Sequence, residues 1–169
     1  MSADLPEMLD AWRMVAARRG FEGRLPLASM DRLRGSLVDG EGEVRFSLDF
    51  DRDPLNVPYA ELRIEAELPL ECQRSLQRFL LPVALVQRLG LIQDEADEAA
   101  LPEGYEPLLV PADGLLHPAA LVEDELILAL PAVPVQPGSD PVEGDWVAPA
   151  EETREASPFA ALAGLRRDR

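Results

Sequence analysis

The chain contains no lysine, one cysteine and one histidine, and each shortage removes a class of chemistry. Without lysine there is no G-x-x-x-x-G-K-[ST] phosphate loop, and G-x-G-x-x-G is missing as well. The single cysteine, Cys72, cannot staple the chain to itself, which points to a reduced, cytoplasmic setting. It lies in ECQRS (71–75), where Ser75 stands in the place of the second cysteine of a C-x-x-C knuckle. Cys72 and His117 together supply two metal ligands, too few for a structural zinc site. His117 directly precedes Pro118, has no nucleophile elbow to serve, and reads as a helix-boundary residue. The acidic DEADE run (94–98) lacks the D-x-D-x-D-G order of a calcium loop. The expectation is a non-enzymatic protein with no catalytic residue, metal or cofactor.

Aromatic residues make up only 5% of the chain, so the core must be built from aliphatic side chains. No apolar run approaches the ~18 residues that would suggest a membrane span. The longest, LPVALV and LILALPAV, contain proline. The N-terminal MSADLPEMLD has no basic stretch leading into an apolar one, so no secretory signal is expected. These features predict a soluble protein without membrane contact.

What is abundant is negative charge. The formal net charge is −16, and all 16 cations are arginine. Between Arg88 and Arg154 there are 15 acidic residues and no arginine or lysine. Residues 153–169, by contrast, carry four arginines against two acids. Nucleic-acid affinity comes largely from neutralising phosphates, so an acidic middle argues against wrapping RNA. It suits a cationic partner steered by the field, although solubility alone also accounts for it.

Hydropathy patterning predicts an α+β fold: an antiparallel sheet of four to six strands flanked by helices near 5–19 and 118–130. In the first helix Asp4 stands as the cap, with Pro6 in the first turn and Glu7 at capping-box spacing. Met8, Leu9, Trp12, Val15 and Ala16 form its apolar stripe, and Gly20 its left-handed stop. FEGRLPL (21–27) reads as a short strand, and ASMDRLR (28–34) as a short helix with Ser29 as a possible cap. Two strictly alternating runs follow. Val44, Phe46, Leu48 and Phe50 face inward in one, and Leu62, Ile64, Ala66 and Leu68 in the other. Their wet faces carry Glu43, Asp49, Glu61, Glu65 and Glu67, with Arg45 and Arg63 as cross-strand partners. An RNA-reading sheet would show aromatic and basic residues there instead.

A third run, LQRFLLPVALV (76–86), contains Pro82 and is expected at an edge or bulge. ECQRS is the hairpin connection before it, with Cys72 free to pack as a small apolar residue. DEADEAALPEGYEP (94–107) reads as an acidic loop, and PLLVPADGLL as a short strand plus a turn at Asp113-Gly114. HPAALVEDELILAL (117–130) is the second helix, started at Pro118 and ended by Pro131. Its buried face is expected at Leu121, Val122, Leu126, Ala129 and Leu130, widened by Ile127 and Leu128. Its wet face is expected at Glu123, Asp124 and Glu125.

The expected organisation is a single α+β domain over 1–131, then a linker and docking helix over 132–169. Six of the 28 residues from 131 to 158 are proline, which reads as an extended, flexible, acidic linker. SPFAALAGLRRDR carries a short terminal helix signal, with Ser157 as cap and Phe159, Leu162 and Leu165 on one side. That helix docks either on its own domain or on a partner. Candidate partner contacts are therefore Glu71, Gln73 and Arg74 in the connection, Glu123, Asp124 and Glu125 on the second helix, and Phe159, Leu162 and Leu165 in the tail.

ECQRS with its following strand, LPEGYEPL, LVEDELILALPAVPV and SPFAALAGL together resemble the bacterial YceD family, large ribosomal RNA subunit accumulation proteins also found in chloroplasts. The likeness extends to the N-terminal LPEMLDAWRMVAARRGFEGRLPLASMDRL. It implies a part in the synthesis, processing or stability of large-subunit ribosomal RNA, with precursor RNA or the assembling particle as partner. It implies no enzymatic activity. Many relatives carry a second cysteine at the position of Ser75, and often another after the second helix. A family metal role there does not extend to this chain. The resemblance leaves a second reading open, an acidic escort for a basic large-subunit protein, since the family's gene often adjoins one for such a protein.

Overall fold

A computed structural model describes residues 6–139. The sequence candidates Phe159, Leu162 and Leu165, the Asp4 cap and the terminal helix lie outside the described residues.

The centre is a long hairpin. β3 (Glu43–Arg52) pairs antiparallel with β4 (Pro58–Glu71), and β4 pairs antiparallel with β5 (Arg78–Ile92) over its whole length. β2 (Gly20–Pro26) flanks β3 on one side. β6 (Glu106–Leu109) lies against the last four residues of β5, giving the order β2-β3-β4-β5-β6. β6 runs parallel to β5, a departure from the expected all-antiparallel sheet. The 3₁₀ turn Glu95–Ala100, capped by the Asp94 side chain, carries the chain back across far enough to permit this.

The strict alternation of β3 and β4 sends Val44, Phe46, Leu48, Phe50, Ala60, Leu62, Ile64, Ala66, Leu68 and Leu70 to one buried face. Phe21 of β2 meets Phe46 edge-on, with ring centroids 5.9 Å apart. α1 (Ala11–Ala17) and α3 (Pro118–Ala129) close over this face, contributing Ala11 and Val15, and Val122 and Leu126.

α1 is shorter than the sequence pattern suggests. Asp10 is its cap and accepts the Arg13 N–H at 2.9 Å. Leu9 and Asp10 belong instead to a two-residue strand, β1, paired with β7 (Leu115–Leu116). The left-handed residue ending α1 is Arg18, at φ 48°, and not Gly20. A Cβ at Gly20 would lie 1.9 Å from the Asp49 carboxylate across the β2–β3 ladder, so a side chain there requires the Asp49 side chain to move. The segment after β2 forms a 3₁₀ turn, Leu27–Ser29, and one helical turn, α2 (Asp31–Arg34). Ser29 does not cap it; its hydroxyl donates to the Pro26 carbonyl at 2.7 Å.

Between them, Asp113 and Gly114 make the expected turn, with Gly114 at φ 75°. α3 matches its predicted bounds closely. Its two faces are rotated from the expected ones: Glu123 and Glu125 are buried, whereas Ala129 is exposed and Leu128 is 75% exposed. No helix among the described residues is long and apolar enough to cross a membrane.

Candidate partner interface

The wet face of the sheet interleaves carboxylates and arginines. Side chains alternate across a strand, so Glu61, Arg63, Glu65 and Glu67 of β4 lie beside Arg45, Ser47 and Asp49 of β3. On the other side they adjoin the β5 residues Leu80, Pro82, Ala84, Val86 and Arg88. Several of the arginines are already engaged. Arg63 and Arg88 both pair with Glu61, Arg88 at 3.3 Å, and Arg24 pairs with Glu43 at 3.1 Å. The Arg63 guanidinium beside Glu61 holds that carboxyl below the usual range, with Arg88 adding to the effect against partial burial.

Arg88 also lies over the rings of Tyr59 and Tyr105, 5.2 and 5.7 Å from their centroids. Tyr105 donates its hydroxyl to Asp53 at 2.9 Å. Burial and the neighbouring Asp53 push the Tyr105 phenol up, so it stays neutral and a donor. This cluster braces the junction of β4, β5 and β6. Glu65 and Glu67, both exposed, make no ion pair among the described residues.

The ECQRS connection is a tight turn with a strap across it. The Cys72 N–H donates to the Gln77 carbonyl at 2.9 Å, and the Leu76 N–H donates to Cys72 O at 2.7 Å. Leu76 is held at φ 56°, a left-handed conformation that costs an L residue. Residues 134–139 come back over the turn. The Gln73 N–H donates to Pro134 O at 2.9 Å, and the Arg74 guanidinium donates to Ser139 O at 3.3 Å. Residues expected to open a free linker are thus tied at Pro134 and Ser139.

Cys72 is fully buried beneath the strap. Its sulfur accepts the N–H groups of Ser75 at 3.4 Å and Gln136 at 3.3 Å, and the thiol donates to Ser139 Oγ at 3.4 Å. Burial alone would push the thiol up. Hydrogen bonding with Ser139, Ser75 and Gln136 outweighs it, leaving the thiol lowered to about 6. Cys72 is therefore a polar pin as well as a core residue. Glu71, Gln73 and Arg74 have exposed side chains around it.

The α3 carboxylates are not the expected surface. Glu123 is 8% exposed and accepts the backbone N–H of Arg32 at 2.8 Å and of Leu33 at 3.0 Å. α2 has no side-chain cap of its own, so Glu123 serves as one from a different helix. Burial pushes its carboxyl up, but the two amides and the Arg32 guanidinium more than reverse this and leave it lowered. Glu125 is 6% exposed, and burial, with Glu106 nearby, pushes its carboxyl up. Only Asp124 faces solvent, where it pairs with Arg32. Of the three acids expected on the wet face, one is there.

His117 takes the N-cap position of α3 without making a side-chain cap bond, and it lines a shallow cleft with Leu25, Met30 and Glu123. Among the described residues, no three His, Cys, Asp or Glu side chains converge as a metal site. Sequence reasoning missed the distinction between engaged and unengaged charges on the sheet. Alternation shows which face a residue occupies and says nothing of its partner.

No solved structure matches this chain. The family model described as "Large ribosomal RNA subunit accumulation protein YceD" matches residues 60–166. A Haemophilus influenzae protein with the same description is 30% identical over 169 residues, covering 96% of each chain. The match takes in β4, β5, the turn between them and α3, the parts that shape the acidic face and its strap. The chain belongs to the YceD family of large ribosomal RNA subunit accumulation proteins.

Proposed function

We propose that this protein is a non-catalytic, cytoplasmic ribosome-biogenesis factor needed for the synthesis, processing or stability of large-subunit ribosomal RNA. Family membership supports that role. The observation that carries the physical mechanism is the wet face of the sheet. Its carboxylates at Glu65 and Glu67 make no ion pair among the described residues; Arg63 and Arg88 are both spent on Glu61, and Arg45 lies opposite Glu65 in register. The Glu65 and Glu67 end of this mixed face favours cationic protein over phosphate. The factor therefore acts within the assembling particle by engaging a cationic component, in contrast to gripping precursor RNA directly.

A second reading, an acidic escort for a basic large-subunit protein, rests on the same face and on the net charge of −16. The two are compatible, since undelivered protein would lower RNA accumulation. Capture from cell extract at rising salt tests both. Large-subunit proteins should be retained at low salt and released as salt screens the field. Capture that is absent at low salt, or indifferent to salt, would contradict the mechanism. A filter assay with purified precursor RNA should show only weak binding.

A further inference from the structure

β5 has a bare edge. Two backbone bonds fix which of its groups point there. Across the hairpin, Cys72 N–H donates to Gln77 O, so odd-numbered residues at this end face β4. At the other end, Val110 N–H donates to Ile92 O on the side of β6, so even-numbered residues face away from β4. The β4–β5 register runs unbroken between these points. β6 covers only Leu89–Ile92. Over 80–86, then, the N–H groups of Leu80, Ala84 and Val86 and the carbonyls of Leu80, Pro82, Ala84 and Val86 point outward. Among the described residues no strand pairs with them. Pro82 falls at an outward position, where its missing N–H costs β4 nothing.

The side chains along this edge are apolar on both faces. Leu80 is 44% and Val86 61% exposed on the wet face, and Leu81, Val83 and Leu85 are half-buried on the core face. Native sheets blunt a free edge with charge or proline, and here one proline is the only such device within 80–86. Charge lies one strand further in. In register, Glu67 sits beside Pro82 and Glu65 beside Ala84. Both β5 residues are small, so a long side chain on an added strand can reach over them to these carboxylates.

We propose that the free edge of β5 receives an extended, arginine- or lysine-bearing segment of a protein partner as an added strand. Backbone pairing supplies the hold, and Glu65 and Glu67 select the charge. Pro82 removes one cross-strand bond, so backbone pairing alone is weakened and side-chain complementarity decides the partner. A second copy of this chain is a poor occupant, because each carries −16 and brings its own Glu65 and Glu67. This site deepens the cationic-partner reading above and rests on it.

The test uses the full chain and a synthetic peptide of alternating valine and arginine, with its valine–glutamate counterpart as control. Hydrogen exchange should slow at the Leu80, Ala84 and Val86 amides when the arginine peptide binds, and the glutamate peptide should do nothing. Glu65→Gln with Glu67→Gln, both exposed, should weaken binding roughly 3- to 10-fold with the fold intact. Ala84→Pro should remove an outward N–H and abolish the protection. Equal binding of both peptides, protection elsewhere than 80–86, or edge protection in the free protein that grows with its concentration would each overturn the proposal. Failure of the peptide assay, with RNA accumulation still dependent on the protein, would sink the edge alone. Loss of that dependence would sink the functional reading.

Discussion

The Glu123 carboxylate on α3 accepts the Leu33 amide of α2 at 3.0 Å, joining two helices 90 residues apart in sequence. α2 is a single turn that brings no cap of its own, so its unbonded N-terminal donors are satisfied from outside. Glu123→Ala should cost about 1–3 kcal/mol by leaving buried N–H groups unpaired, and Glu123→Gln less, because an acceptor oxygen remains. Asp124→Asn, at an exposed ion pair, should cost under about 1 kcal/mol. Urea denaturation of the three variants checks the order. A depressed carboxyl stabilises the fold above its unfolded pKa. The Glu123 contribution should therefore be present at neutral pH and fall away as acid takes the pH through its folded value.

Glu125 has the opposite sign. Its folded carboxyl is raised, so burying the charged form costs stability at neutral pH. Glu125→Gln should stabilise the protein at neutral pH, by an amount of order 1 kcal/mol. The advantage should shrink as pH falls through the raised folded value towards the unfolded one, near ~4.3. Thermal melts of both proteins across that range measure it.

Sequence alternation made the core of this fold legible. Leu62, Ile64 and Leu68 are buried as their spacing requires, and α3 starts and stops at its prolines. Pro82 reads as an edge or bulge residue; β5 is not the outermost strand, but Pro82 falls on the stretch that β6 leaves uncovered. What stayed hidden depended on distant partners. Nothing near Glu123 in sequence indicates that a helical turn at 31–34 lacks a cap. Nothing near Leu9 and Asp10 indicates that Leu115 and Leu116 take them into a ladder and so shorten α1. The candidate site divides the same way. Glu71, Gln73 and Arg74 lie on an exposed turn as read, but the strap that crosses it is visible only in three dimensions.

The strap makes Cys72 sensitive to pH. Its thiol, lowered to about 6, accepts hydrogen bonds best as thiolate. A depressed pKa adds stability that is full above the unfolded value, near ~8.5, and lost as pH falls through the folded one. Wild-type stability relative to Cys72→Ala should rise between those two values and level off beyond them. Paired melts at graded pH would show it, and a constant difference would contradict the pinning role.

Leu76 is 58% exposed and held at φ 56°, so its side chain contributes little to offset the backbone cost. Leu76→Gly relieves the left-handed strain while loosening the unfolded chain. The net expectation is a gain of about 0.5–1 kcal/mol in a denaturant titration, with the hairpin register unchanged.

The carboxylates of Glu65 and Glu67, which make no ion pair among the described residues, should be dispensable for folding and necessary for function. The most direct measurement is large-subunit ribosomal RNA abundance in cells whose own copy is replaced by the Glu65→Arg, Glu67→Arg double variant at matched protein level. The account predicts that RNA falls towards the level of cells lacking the protein, while the purified variant stays folded and loses no more than about 1 kcal/mol, because Glu65→Arg faces Arg45 across the β3–β4 ladder. RNA held at the wild-type level by the charge-reversed protein would contradict it.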